Sequence, residues 1–124
     1  MRVTPGQTIV APCFTDQSDD ETLGRWIDVR GCAYLTFYVS SVGTTSGGVI
    51  TFEECSPKPI DQNPPVPFGV TTAGYSSITT VNASDVSGGL QKAVHITVAG
   101  YFFVRARIST AISGGGTCTV GLVA

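Results

Sequence analysis

The feature that most constrains this chain is strict two-residue alternation. In Ala33-Tyr34-Leu35-Thr36-Phe37-Tyr38-Val39-Ser40 the apolar Ala33, Leu35, Phe37 and Val39 fall on one side, and Tyr34, Thr36, Tyr38 and Ser40 on the other. A period of two belongs to an extended strand with one face in a core and one face outside it. Val49 to Cys55 repeats the pattern, with Ile50 and Phe52 as inward residues. Tyr101 to Ile108 does so again: Phe102, Val104, Ala106 and Ile108 share one side, and Phe103, Arg105 and Arg107 the other. In Thr117 to Val123, Cys118, Val120 and Leu122 are the inward set. The Gly-rich turns Gly43 to Gly48 and Ser113 to Gly116 predict that each flanking pair of strands forms a hairpin.

Weaker strands read at Gln7–Pro12, Arg25–Arg30, Tyr75–Asn82 and Gln91–Val98. Gly31 interrupts the run from Arg25 to Ser40 and predicts a bulge or a bend that changes sheets. No segment sustains a helical period. One turn at Ser18 to Leu23, with a capping residue and acids in its first turn, is the helical candidate. About eight short strands without substantial helix predict an all-β, two-sheet antiparallel β-sandwich, jelly-roll-like, with an open Greek-key sandwich as the alternative.

A length of 124 residues suits one core. The expected organisation is an N-terminal arm over residues 1–20 with at most one short strand, followed by a single sandwich domain over 21–124. Within that domain Ser56 to Gly69 holds five of the seven prolines, namely Pro57, Pro59, Pro64, Pro65 and Pro67, and ends on Phe68-Gly69. Fixed φ makes such a loop stiff and lowers the entropy lost when it docks.

Composition narrows function. Charged residues are 13% and hydrophobic residues 42%, which excludes a disordered chain. A net charge of −2 speaks against a nucleic-acid partner, which needs a basic patch. No apolar run approaches the roughly 20 residues of a membrane helix, and the N-terminus has no secretory h-region, so synthesis in a reducing cytosol is expected. There Cys13, Cys32, Cys55 and Cys118 are expected as free thiols, with disulfides as the alternative.

Parts for catalysis are few. The single histidine, His95, sits on the outer side of its strand, and no serine carries a nucleophile-elbow signature. Glu53 and Glu54 are adjacent in a strand and point to opposite sides, so they cannot act as a carboxylate pair. The chain is expected not to be an enzyme; a small polysaccharide hydrolase with an acid pair at a loop rim is the reading from another class. Asp16 to Glu21 begins like a calcium loop, but Glu21 stands where the sixth position needs glycine and Ile27 where the twelfth needs glutamate. A solvated acidic turn is the expectation, and no metal or cofactor is assigned. Asn82-Ala83-Ser84 fits the glycosylation triplet, which matters only on a secretory route. Arg105 and Arg107 are either solvated or paired with acids across the strand, or they form an interface with a partner's carboxylates.

The runs Trp26 to Val39, Gly48 to Glu53 and Gly100 to Arg107, with the final Gly-rich hairpin, resemble small jelly-roll virion proteins of tailed bacteriophages, including capsid decoration (cement) and minor tail proteins. The likeness spans Arg25 to Val123 and is a pattern of strand cues, shared in part with carbohydrate-binding modules and discoidin-like domains. It implies assembly in the bacterial cytoplasm onto a virion, a homo-oligomer (dimer or trimer) and the major capsid protein as partner on the capsid surface. The contact candidates are Tyr34, Tyr38, Pro57, Pro59, Pro64, Pro65, Pro67, Phe68, Arg105 and Arg107. The alternative is a receptor-binding or tail-associated module that takes host glycans on outward aromatics such as Trp26 and Tyr101.

Overall fold

A computed structural model describes residues 2–3, 10–55 and 76–123, with the backbone alone at Val10 and Cys55. The strands are β1 (Val10–Gln17), β2 (Ile27–Asp28), β3 (Tyr34–Val42), β4 (Gly47–Cys55), β5 (Ser76–Asn82), β6 (Gln91–Thr97), β7 (Phe103–Ser113) and β8 (Thr117–Val123), with one 3-10 turn at Ala83–Val86. They form two four-stranded sheets, ordered β1-β8-β3-β6 and β2-β7-β4-β5. Every pairing between these strands is antiparallel. Apart from β4 to β5, each strand is followed by one in the opposite sheet, which is the winding of a jelly roll. The chain is therefore the two-sheet β-sandwich that its alternation predicts.

The inward residues meet between the sheets. Leu35, Phe37 and Val39 from β3 and Val120 and Leu122 from β8 face Ile50 and Phe52 from β4 and Val104, Ala106 and Ile108 from β7, all of them buried. Phe37 and Phe52 join the two layers, with ring centroids 4.9 Å apart and planes tilted by 46°. Ala33 differs from the expectation: it precedes β3 and is exposed, its carbonyl accepting the Val98 N–H. Phe102 likewise precedes β7 and is only half-buried.

Both expected hairpins are corrected. β3 pairs with β6 and β8, whereas β4 pairs with β5 and β7. β7 and β8 also lie in opposite sheets. Alternation states which side of a strand is apolar; it does not state whether the next strand lies beside it or across the core. The two glycine-rich connections are corners from sheet to sheet, and they brace each other. Gly116 N–H donates to the Thr44 carbonyl at 2.8 Å and Ser46 N–H to the Ser113 carbonyl at 2.9 Å. At Gly48, φ is +115° and a side chain would begin 2.7 Å from the Ile112 Cα, so only glycine lets β4 start so close to β7. Thr45, fully buried at the first corner, donates its hydroxyl to the Ala83 carbonyl at 2.7 Å and ties the corner to the 3-10 turn.

Gly31, at φ +85°, marks the bend between β2 in one sheet and β3 in the other, as expected. The helical turn expected at Ser18 to Leu23 is not formed. Its carbonyls serve β7 instead: Ile108 N–H donates to Thr22 O and Ile112 N–H to Ser18 O. The acidic segment is a tight turn, with Glu21 N–H donating to Asp19 Oδ1 at 2.8 Å. Within the arm read over residues 1–20, Val10–Gln17 is an edge strand paired with β8. Its Pro12 is tolerated because an edge strand can spare one N–H. Among the described residues no helix is long and apolar enough to cross a membrane.

Candidate interaction faces

Each sheet has an outer side, and the two sides differ in chemistry. On the β1-β8-β3-β6 sheet the outward row of β3 is Tyr34, Thr36, Tyr38 and Ser40. Across from it stand Thr97, His95, Ala93 and Gln91 of β6. On the β8 side Thr36, Tyr38 and Ser40 meet Val123, Gly121 and Thr119. The His95 Nδ1 lies 2.9 Å from Thr36 Oγ1, so this histidine is tied to a strand neighbour in the open. Tyr34 is 76% exposed, and at the opposite end of the sheet Val42 (64%) and Leu90 (61%) are nearly as open. Beside Tyr38 the face dips into a depression of about 230 Å³ lined by Tyr38, Ser40, Gln91 and the β8 residues Thr119, Gly121, Leu122 and Val123.

The outer side of the β2-β7-β4-β5 sheet carries charge, and the charge is buried. Glu53 is 2% exposed and Arg105, directly opposite it in register, 4%. Arg105 Nε donates to Glu53 Oε1 at 2.6 Å, and Arg107 Nε, one step along the diagonal, donates to Oε2 at 3.0 Å. One carboxylate thus holds two guanidinium groups. The Arg105 guanidinium lies 4.4 Å from the Trp26 ring centroid, a cation–π contact. Thr51 and Ser109 continue the row, their hydroxyl oxygens 2.6 Å apart. Of the readings held open for these arginines, the geometry contains pairing with an acid across the sheet, and Arg105 is buried where solvation was the other possibility. Trp26 is half-buried against Arg105, and Tyr101 is half-buried against the core.

A second charged group lies on the strand edge. Arg30 forks onto Asp28, with Nε to Oδ1 at 3.0 Å and a terminal nitrogen to Oδ2 at 2.6 Å, and its guanidinium stands 5.7 Å from the Phe103 ring centroid. The Arg30 bonds hold the Asp28 carboxyl below the usual carboxylate range. A depressed acid contributes stability above its unfolded value, and that contribution is lost as pH falls through the folded one. Stability should therefore decline below about pH 4, and Asp28→Asn should flatten that part of the decline. Urea midpoints between pH 3 and pH 6 read both.

Cys13, Cys32 and Cys118 are free thiols. Burial pushes all three up, Cys13 to about 12, so none is a poised nucleophile. Cys32 Sγ donates to the Val3 carbonyl at 3.3 Å, which fastens the N-terminal segment beside β2. The side chain of Cys55, and the loop candidates Pro57, Pro59, Pro64, Pro65, Pro67 and Phe68, lie outside the described residues.

The chain matches no family model and no curated protein. Among solved structures it is similar to the SPBc2 prophage-derived protein YomS, with a TM-score of 0.52 over 98% of this chain and 97% of that one. The likeness is one of fold. Sequence identity is 14%, too low to carry any residue across, so the functional argument rests on the faces themselves.

Alternation places Tyr34 and Tyr38 outward on one strand, where the structure has them. Glu53 is not among the contact candidates. The signal was the alternation of Thr51 and Glu53 against Ile50 and Phe52, which puts Glu53 on the outer side; that it meets Arg105 and Arg107 there depends on a pairing register that no local pattern contains.

Proposed function

We propose that this chain is a non-enzymatic structural protein of a tailed-phage virion, and within that class a capsid decoration protein. It sits on the outer shell and clamps adjacent major capsid subunits, as a homo-oligomer. The observation that carries this reading is the outer side of the β3 sheet. Its β3 row is uncharged, and large apolar side chains stand open at both ends, at Tyr34, Val42 and Leu90. Aromatic and aliphatic anchors in a neutral surround are the composition of an interface centre. The end-to-end likeness in fold to a prophage-derived protein supports the phage setting. Many modest contacts repeated over a shell would add up through multivalency.

Particles made with and without the chain test this. Complete shells should open at a higher temperature than shells lacking it, and Tyr34→Asp should bring the complete shells down to the level of the deficient ones. Equal opening temperatures for complete and deficient shells would remove the clamp. The tail-associated, sugar-binding alternative draws support from a different feature, the depression beside Tyr38.

A further inference from the structure

Gly121 stands in the interior of β8, where glycine weakens a strand because it has no side chain to pack and much freedom to lose. Neither common reason for glycine applies. Its φ lies outside the left-handed region, and a Cβ built on it would meet only the Ala11 carbonyl oxygen, at 3.8 Å, an ordinary contact. Any small or β-branched residue would fit. What glycine does is leave a gap on the outer face: Tyr38 flanks it on β3 and Pro12 on β1. That gap is the floor of the depression of about 230 Å³.

The lining decides what could enter. Tyr38 presents a half-exposed ring. Ser40 and Gln91 bring a hydroxyl and an amide, and Thr119 a hydroxyl that already accepts the Asp16 N–H at 2.9 Å. Among the described residues no charged side chain lines the depression; the Asp16 carboxylate beside it already accepts from the Thr119 hydroxyl at 3.3 Å. The exposed lining is mostly apolar, with Leu122 and Val123 beside the ring, so it favours an apolar ligand face, while a group with no polar rim would leave the Ser40 hydroxyl and the Gln91 amide without partners. A ligand that fits is uncharged, has one C–H face for the tyrosine ring and hydroxyls on its rim, and is small, since the volume lies below the usual range for drug-sized ligands.

We infer that the Tyr38–Gly121 depression is a binding site for one residue of a neutral saccharide, with the sugar's C–H face on Tyr38 and its hydroxyls toward Ser40 and Gln91. This goes beyond the shell-clamp reading and does not depend on it; it is a property of the free chain, since a partner seated on both Tyr34 and the Val42–Leu90 end would cover the depression between them.

The test is an array of neutral and sialylated glycans probed with the full chain, followed by titration of the best neutral oligosaccharide. The parent chain should bind neutral glycans saturably. Gly121→Val should lose binding at least tenfold while its melting temperature equals or exceeds the parent's, because the side chain fills the gap without strain. Gln91→Ala, on an exposed edge strand, should weaken binding several-fold with its fold intact. Binding confined to sialylated glycans, or no saturable binding to any glycan, would overturn the site. So would binding that survives Gly121→Val. A Gly121→Val chain that fails to fold would refute the premise that packing does not need this glycine, with Gln91→Ala then reading the site on its own. Because shell opening is measured separately, failure here leaves the clamp proposal standing, and the reverse also holds.

Discussion

Glu53→Ala should lower the unfolding free energy by about 3–5 kcal/mol, measured by urea denaturation at pH 7. The carboxylate is 2% exposed and is shared by Arg105, itself 4% exposed, and Arg107. Removing it takes from a buried guanidinium the carboxylate to which it donates, and breaking one side of a buried ion pair is among the costliest single changes in a fold. The pair as a whole is worth far less than this loss suggests, since burying both charges had its own desolvation cost. Replacing both partners, as Glu53→Leu with Arg105→Leu, should therefore recover most of the stability that the single change removes. Arg107→Ala should cost about 1 kcal/mol, the usual scale of one hydrogen bond, because its side chain keeps 23% exposure and water can take its place. A Glu53→Ala loss below about 1 kcal/mol would show that the cluster is solvated in solution.

Phe37→Ala comes second, with an expected loss of about 3–5 kcal/mol from lost burial and the cavity left behind. Phe37 belongs to one sheet and Phe52 to the other, both fully buried, so each ring is a joint between layers and not merely filler within one. A double-mutant cycle between them should give a coupling of about 0.5–1.5 kcal/mol, the scale of an aromatic pair beyond its buried area. Tyr34→Ala, on the open face of the same strand, should change stability by no more than about 0.5 kcal/mol. If Phe37→Ala and Tyr34→Ala cost the same, the assignment of inner and outer faces on β3 would be wrong.

Those faces were legible in the sequence, and the reason is physical. A pleated strand repeats every two residues, so Leu35, Phe37 and Val39 declare one side without any knowledge of their neighbours. Pairing is a different matter. The inward set of β3 meets β4 across the core, and the same apolar pattern would serve a hairpin equally well, so the glycine-rich corners read as hairpin turns. β1 was only partly visible for a related reason: Thr15, Asp16 and Gln17 lie on an edge, where polar side chains cost nothing, and Asp16 sits at φ +50° beside a break in register. The local cues for a helical turn at Ser18 to Leu23 are genuine. The cues lost to β7, whose N–H groups claim the Ser18 and Thr22 carbonyls.

The candidate sites divide in the same way. Tyr34 and Tyr38 were placed outward by alternation alone. Arg105 was also correctly placed on the outer side of its strand, yet an outer side is not always a wet one. Glu53 neutralises Arg105 and Trp26 stacks on it, so burial on that face followed from long-range partners. Gly121 carried no signal in the chain, because a glycine in a strand acquires meaning only when its neighbours show that a side chain would have fitted.

The central claim is that this jelly roll belongs to a virion and reaches it through the open face of the β3 sheet. Copy number in gradient-purified particles, counted by quantitative mass spectrometry, tests that most directly. The account predicts many copies per shell for the parent and for Gly121→Val, and loss of the chain to the soluble fraction for Tyr34→Asp with its fold intact. A parent chain absent from the particles, or a Tyr34→Asp chain retained at parental copy number, would contradict it.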